Sequence, residues 1–399
     1  MIGWGDVYKV AAAMAPLYVA LGLGYGSVRW WKLFTPEQCG AINRLVVYFA
    51  FPSFAFDLTA HAGTLAASRR VLAADVLAKI LVALALAGSA AACRWSVGRK
   101  RLGAAAGDDD DDDAGGASGS GGRSYYSWCI TGFSLAGLNN ALLVGVPLLD
   151  AMYGEWAHDV AVQMSMVQIV VWFPLTLVVF EVRQAWLETT PLRVAPADGG
   201  AGALEGGGRA PPAQARSDAA GEPGDGRNRK TTGWPFWAPL LRTVGIKIAC
   251  NPNIYASLLG VAWSAIANRW HLELPSIVDG SVKIMSKTGI GLGMFSMGLF
   301  IALQEKFIMC GAGLTALSLA LRFAAGPAAA AAGAAVLGLR GNLLRFAIVQ
   351  AALPPSVVAF NYAREYNLHA DILSTAIIVG TLASLPVLTG YYAVLGLIR

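Results

Sequence analysis

Two stretches of the sequence decide the fold: Gly137-Leu138-Asn139-Asn140-Ala141-Leu142-Leu143-Val144-Gly145-Val146-Pro147 and Ala352-Leu353-Pro354-Pro355-Ser356-Val357-Val358. Each lies inside a long apolar segment. Adjacent asparagines or a double proline in such a segment would free backbone groups that lipid cannot hydrogen-bond. We therefore predict that one helix breaks at Asn139 and the other at Pro354 and Pro355, and that the two breaks cross. The alternative is a pair of kinked packing helices.

The composition places the whole chain in a membrane. Of its 399 residues, 56% are hydrophobic and only 14% are charged, and the mean hydropathy is +0.53. Soluble domains carry about 25% charged residues, so a soluble enzyme and a nucleic-acid-binding protein are both excluded. The five cysteines form no CxxC pair and the four histidines are scattered. We therefore expect neither a metal site nor a cofactor.

Apolar segments of about twenty residues are long enough to cross a bilayer. The sequence contains ten of them, here numbered spans one to ten: 7–28, 38–60, 71–93, 127–150, 160–182, 251–270, 276–303, 311–338, 343–363 and 371–397. The predicted fold is therefore an all-α polytopic membrane protein.

Two polar inserts interrupt these spans. The first, 94–124, contains six consecutive aspartates, Asp108 to Asp113, and the second, 183–235, is rich in Gly, Ala, Pro and Arg. Neither has enough apolar residues to form a core, so both are predicted to be disordered linkers. The second insert lies in a hydrophilic loop, 183–250, that separates two five-span halves, 1–182 and 251–399.

The odd number of spans in each half has a topological consequence. The second half must enter the membrane in the opposite orientation to the first, which gives a 5+5 inverted repeat. Inverted repeats with discontinuous helices are typical of secondary transporters, whose substrates bind where the broken helices meet. Here both predicted breaks fall in the fourth span of their half, which favours a transporter over the kinked-helix alternative.

The orientation follows from the basic residues. Most Lys and Arg residues lie in the loops that follow the odd-numbered spans. Because basic loops stay on the cytosolic side, we predict that the central loop is cytosolic and that both termini lie on the opposite side.

Crossed half-helices direct two positively polarised N-terminal ends at one point, which favours an anion. Asn139 and Asn140 add neutral amide donors, and no carboxylate is near either break in the sequence. Tight coupling to a cation is therefore not expected there. Apolar side chains flank the crossing, so that the site suits an amphipathic organic anion: Phe51, Leu142, Val357 and Val358.

Other charged residues lie within the spans. Asp75 and Lys79 are four residues apart and so share one face of a helix. Charged residues at this depth are functional candidates, although a self-neutralising structural pair is an equal alternative. Arg322 in span eight also requires a partner, which the sequence does not identify.

Several further stretches make the chain resemble the plant PIN-FORMED auxin efflux carriers over essentially all spans, and in particular their short-loop subgroup. These stretches are Ala15-Pro16-Leu17-Tyr18-Val19-Ala20, Leu33-Phe34-Thr35-Pro36-Glu37-Gln38-Cys39, Ile42-Asn43-Arg44, Asn251-Pro252-Asn253-Ile254-Tyr255-Ala256-Ser257-Leu258-Leu259-Gly260, Met294-Phe295-Ser296-Met297-Gly298-Leu299-Phe300 and Glu365-Tyr366-Asn367-Leu368-His369.

The resemblance implies a homodimer that moves indole-3-acetate and related aromatic carboxylates by alternating access. It implies the endoplasmic reticulum membrane, with the plasma membrane as the second choice. It also implies residue roles. Asn140 matches the substrate-binding asparagine and Gln168 a polar position of span five, while Asp75 and Lys79 match an auxiliary polar site. The apolar lining matches Phe51, Leu142, Val357 and Val358.

Some positions depart from the pattern of that family. Its first crossover proline is Asn139 here, two hydroxyl positions are Ala55 and Phe173, and a glutamine is Pro355. The leading hypothesis remains a facilitative auxin carrier driven by membrane potential. The alternative is a transport-poor relative that acts as an interaction partner of active carriers. An intramembrane protease is a weaker third hypothesis, because Asp57 and Asp75 lie on no protease motif.

Overall fold

The computed structural model of the protein describes residues 4–61, 65–105, 117–188, 234–304 and 306–397, and all regular secondary structure in these ranges is helical. In chain order the α-helices are α1 (Trp4–Arg29), α2 (Pro36–Leu45), α3 (Phe51–Ala60), α4 (Leu65–Ala105), α5 (Ala117–Gly137), α6 (Val146–Tyr153), α7 (Glu155–Val167), α8 (Phe173–Glu188), α9 (Trp234–Ala249), α10 (Pro252–Trp270), α11 (Ser276–Leu303), α12 (Ala312–Ala320), α13 (Gly326–Val336), α14 (Asn342–Ala351), α15 (Val357–Glu365) and α16 (Ala370–Leu397).

Seven helical segments among the described residues are long and apolar enough to cross a membrane: Tyr8–Arg29, Pro36–Ala60, Ser68–Cys93, Glu155–Leu187, Ser276–Leu303, Ala312–Val336 and Ala370–Leu397. The prediction of an all-helical polytopic membrane protein is thereby confirmed. Spans four and nine are absent from this set because each is divided into shorter helices, and span six corresponds to the 19-residue helix α10.

In the described ranges, four π-helical turns interrupt the helices: Val46–Ala50, Ala141–Gly145, Gln168–Trp172 and Leu321–Ala325. Each turn is followed by one residue and then a proline, namely Pro52, Pro147, Pro174 or Pro327. A proline ring clashes with the carbonyl four residues earlier and supplies no N–H for it. The wider turn accommodates the ring, and such turns are frequent at functional sites.

The described parts of the two polar inserts differ from the expected disordered linkers. Helix α4 continues to Ala105 and α5 begins at Ala117, so residues on both sides of the aspartate run are helical. Residues 94–105 contain Arg, Lys, Leu and Ala, all good helix formers, which explains the extension. Asp108 to Asp113 and residues 189–233 lie outside the described residues. Near the end of the central loop, α9 is an apolar helix.

Close packing of helices depends on small residues. Helix α1 packs along α11. A Cβ atom added to Gly24 would lie 2.1 Å from the Phe295 carbonyl oxygen, and one added to Gly298 would lie 2.0 Å from the Leu21 carbonyl oxygen. Such mutual close approach needs glycine on both helices. Helix α3 also packs against α10 and α11, and α4 packs against α5 and α13. This framework surrounds the two broken helices.

Candidate substrate-binding site

The two unwound segments pair with each other. Helix α5 ends at Gly137 and helical structure resumes at Ala141, whereas α14 ends at Ala351 and α15 begins at Val357. Between these ends, an antiparallel bridge joins Asn139 to Pro355. The Asn140 N–H donates to the Pro354 carbonyl at 2.8 Å, and the Ser356 N–H donates to the Leu138 carbonyl at 3.3 Å. Each break thus satisfies backbone groups that the other frees, as an apolar environment requires.

Asn139 holds the first break open without a proline. Its Nδ2 donates to the Gln350 carbonyl at 2.8 Å, in the last turn of α14. Its own backbone is bound by the Gln168 side chain: Gln168 Nε2 donates to the Asn139 carbonyl at 2.6 Å, and the Asn139 N–H donates to Gln168 Oε1 at 3.4 Å. Asn139 and Gln168 therefore stabilise the unwound backbone beside the cavity that they line.

Asn140 offers a buried donor at the crossing that has no hydrogen-bond partner among the described residues, where Asn139 Oδ1 and Gln350 Oε1 are unpartnered acceptors. It is 8% exposed, and its Nδ2 makes no hydrogen bond. It immediately precedes the helical segment Ala141–Tyr153, so its amide lies at the positively polarised end of that segment. A buried donor without an acceptor is costly, so this amide is suited to an anionic ligand.

The crossing borders a cavity of about 810 Å³, which is within the range of small-molecule sites. All seven residues that were predicted for the substrate site lie on its wall: Phe51, Asn139, Asn140, Leu142, Gln168, Val357 and Val358. Sequence reasoning missed several polar residues of the same wall because they come from other segments: Asn43, Ser165, Lys247 and Asn361. The lining of the cavity therefore combines polar residues from several segments with apolar side chains.

A cluster of charged groups lies at the wall formed by α8, α9 and α15. Lys247 Nζ is 2.8 Å from Glu181 Oε1 and 2.8 Å from Glu365 Oε1, and it donates to the Tyr366 hydroxyl at 2.6 Å. The Tyr366 hydroxyl in turn donates to Glu181. Burial alone would lower the pKa of Lys247, but these hydrogen bonds outweigh burial and raise it. The cluster ties three helices together around a permanently charged lysine.

Asp75 and Lys79 form a pair, as their spacing predicted, with Lys79 Nζ 2.7 Å from Asp75 Oδ2. Lys79 Nζ also lies 5.3 Å from the centre of the Trp172 ring. Neither residue lines the cavity, so the structure places this pair behind the π-helical turn Gln168–Trp172 rather than with the other candidate residues.

His369 gives the structure a pH-dependent contact. Its Nδ1 lies 2.8 Å from Thr131 Oγ1, and its ring lies 4.4 Å from that of Trp128. Burial lowers the pKa of His369 below its ordinary value of 6.5, and the positive charge of Arg183 lowers it further. Folded protein therefore binds the proton less tightly than unfolded protein does. The stability that this contributes is present above pH 6.5 and is lost as the pH falls through the lowered pKa.

We expect the melting temperature of the purified protein to fall as the pH is lowered from 7 to 5, and to fall less in His369→Gln. Thermal unfolding in detergent at several pH values measures this. His158→Gln is the matched control, because the His158 side chain is 36% exposed and lies beside Asp159. If His369→Gln and the wild type show the same pH dependence, His369 is not the titrating group.

Comparison with known proteins identifies the family. Residues 9–97 and 123–392 match the family model described as membrane transport protein. The chain is 59% identical to the probable auxin efflux carrier component 5b of Oryza sativa subsp. japonica and 45% identical to the auxin efflux carrier component 5 of Arabidopsis thaliana, with full coverage of both chains in each case. The chain belongs to the auxin efflux carrier family. The resemblance to the PIN-FORMED carriers and to their short-loop members is confirmed.

The probable auxin efflux carrier component 5c of Oryza sativa subsp. japonica is also similar to this chain, with 55% identity over the whole length of both chains. The matched residues therefore include those of the two broken helices and of the cavity lining.

Proposed function

We propose that this protein is a facilitative carrier for the auxin anion, indole-3-acetate, and for related aromatic carboxylates, which it exports from the cytosol by alternating access. The observation that carries the proposal is the buried Asn140 amide, an unpartnered donor on the wall of the cavity. The names of the relatives supply the substrate.

The chemistry of the cavity fits such a substrate. A carboxylate at the crossing would accept a hydrogen bond from Asn140 Nδ2. It would also lie near the start of α15, whose N-cap is Ser356 with Val358 N–H donating to its Oγ at 3.2 Å. Two positively polarised helix ends would then share one negative charge. The indole ring would pack against Phe51 and the neighbouring apolar residues of the wall.

A ten-span inverted repeat is part of the proposal, with halves 1–182 and 251–399 separated by a cytosolic loop, 183–250. Its support is the packing. If spans one to five correspond to spans six to ten, the contact of α1 with α11 corresponds to that of α10 with α3. The contact of α4 with α5 likewise corresponds to that of α13 with α14, and all four contacts are present.

Transport without a coupled ion is the mechanism that we favour. Asn139 and Asn140 at the crossing are neutral, and the Glu365 carboxylate on the cavity wall is already paired with Lys247. Moving one charge across a membrane is worth about 2.3 kcal/mol per 100 mV, which corresponds to roughly a 50-fold concentration ratio. A cytosol-negative potential could therefore drive the anion outward alone.

Uptake of radiolabelled indole-3-acetate into proteoliposomes tests this proposal. We expect flux to change with an imposed potential and to persist when sodium and proton gradients are collapsed at constant potential. The Asn140→Ala protein, reconstituted to the same density, serves as the control for substrate-specific flux. Loss of flux on collapse of the proton gradient would instead indicate a coupling carboxylate, with Asp75 as the first candidate.

The alternative function is that of a transport-poor partner of active carriers, which the departures from the family pattern at Ala55, Phe173 and Pro355 favour. Wild-type protein that binds to an active carrier but moves no auxin in proteoliposomes would support it. We further propose a homodimer in the lipid bilayer of the endoplasmic reticulum rather than the plasma membrane. Native mass measurement in detergent and imaging of a tagged protein in plant cells test these two points.

A further inference from the structure

Arg322 is the largest fully buried side chain among the described residues. It lies in the π-helical turn Leu321–Ala325 between α12 and α13. Its Nη1 donates to the carbonyls of Leu135 at 3.0 Å, Ala136 at 3.1 Å and Leu138 at 3.2 Å. Its Nη2 donates to the carbonyl of Ala351. Four backbone oxygens therefore converge on one guanidinium group.

These oxygens come from two particular places. Leu135 and Ala136 are in the last turn of α5, Leu138 follows its end, and Ala351 is the last residue of α14. The guanidinium thus lies at the C-terminal ends of both half-helices, where unpaired carbonyls carry partial negative charge. In the described parts of the chain no carboxylate lies within ion-pair distance of Arg322, and the nearby Asp75 already binds Lys79. The helix ends are its counter-charge.

In ion-coupled carriers with broken helices, unwound carbonyls and half-helix C-terminal ends coordinate the coupling cation. We infer that Arg322 is a resident cation that occupies this role permanently. It neutralises and joins the C-terminal ends of the two half-helices, while the N-terminal ends remain available to the substrate anion. This inference extends the proposed function, and the effect that it predicts on auxin transport rests on that function.

Arg322 acts through the backbone and is therefore a positioning residue. Its guanidinium donates to the Leu138 carbonyl, which also accepts a hydrogen bond from the Ser356 N–H. Asn140 lies two residues further along the chain. Loss of the guanidinium would remove a donor from four buried carbonyls, of which Leu138 would keep the Ser356 N–H. A small cation added from solution should be able to take its place, whereas a neutral molecule of the same shape should not.

The test compares guanidinium with urea, its neutral isostere, on purified Arg322→Ala. We expect this variant to melt at a lower temperature than the wild type, and guanidinium at about 10 mM to raise its melting temperature by binding the folded state. Urea at the same concentration should not raise it, and neither compound should raise that of the wild type. Because this measurement uses no auxin, it can succeed or fail independently of the proposed substrate.

Two further variants separate charge from packing. Arg322→Lys keeps a cation that can bind some of the carbonyls, and Arg322→Met has a similar length without charge. We expect the lysine variant to retain more stability than the methionine variant. In proteoliposomes, Arg322→Ala should lose at least about tenfold in auxin flux, and guanidinium should restore it in part. The inference is wrong if guanidinium fails to raise the melting temperature of folded Arg322→Ala, or if the methionine variant is as stable as the lysine variant.

Discussion

Asn140→Ala is expected to weaken auxin binding by roughly 10- to 100-fold, with little change in the melting temperature of the protein. A hydrogen bond to a charged group contributes about 1.5–3 kcal/mol, and each 1.4 kcal/mol changes a dissociation constant tenfold. The stability should be preserved because Asn140 Nδ2 has no hydrogen-bond partner within the described protein. Its removal therefore deletes no internal contact of that donor.

Binding of indole-3-acetate to purified protein, measured by calorimetry or radioligand filtration, tests this expectation. Asn140→Asp should be weaker still, because it places a negative charge against the carboxylate. Asn361→Ala is the matched control, since Asn361 also lines the cavity but lies on the exposed side of α15. Wild-type affinity in Asn140→Ala would refute the assignment of the binding site.

Gln168→Met is expected to destabilise the folded protein by about 2–5 kcal/mol, because it leaves both backbone groups of Asn139 without their partner. Each unsatisfied buried polar group costs about 1–3 kcal/mol, and methionine fills a similar volume without hydrogen bonding. Gln168 is only 4% exposed, so water cannot easily replace the lost contacts. Auxin binding should weaken as well, because Asn140 follows the disturbed residue.

Unfolding in detergent, by heat or by denaturant, measures this loss. When protonated, the side chain in Gln168→Glu has both an acceptor for the Asn139 N–H and an O–H donor for the Asn139 carbonyl, so this variant should be more stable than Gln168→Met. Gln304→Met is the control, because Gln304 is half-buried and its side chain makes one long contact, at 3.5 Å, with the Phe300 carbonyl. Equal stability of Gln168→Met and Gln304→Met would show that Asn139 does not depend on Gln168.

Much of the architecture could be predicted from the sequence because a membrane allows few solutions. The apolar segments indicated the helices, and Pro354 and Pro355 indicated an interruption, since lipid cannot replace the hydrogen bonds that proline removes. Asn140 could be proposed as a ligand because it lies at the predicted break and offers a neutral amide donor there. Its unpartnered amide is a property of the structure alone.

The remaining features depend on contacts between distant segments. No local pattern links Gln168 to the backbone of Asn139, or Lys247 to Glu181 and Glu365, because folding alone brings them together. Arg322 had no identifiable partner for a further reason: its acceptors are backbone carbonyls, which every residue has. They become available only because two helices end beside it. The cavity wall also includes residues that no local pattern places near the crossing, namely Asn43, Ser165, Lys247 and Asn361.

The four π-helical turns have a consequence for chain length. Such a turn holds one residue more than the α-helix would, so deleting a residue there restores regular α-helical geometry and keeps the packed faces on both sides in register. Elsewhere in a span, a single deletion would rotate the packed face of the helix away from its neighbours, because a regular α-helical turn contains no extra residue to lose. We therefore expect single-residue length differences between relatives to collect just ahead of Pro52, Pro147, Pro174 and Pro327. A gap at any of these points marks a π-helical turn that has become α-helical rather than a lost loop.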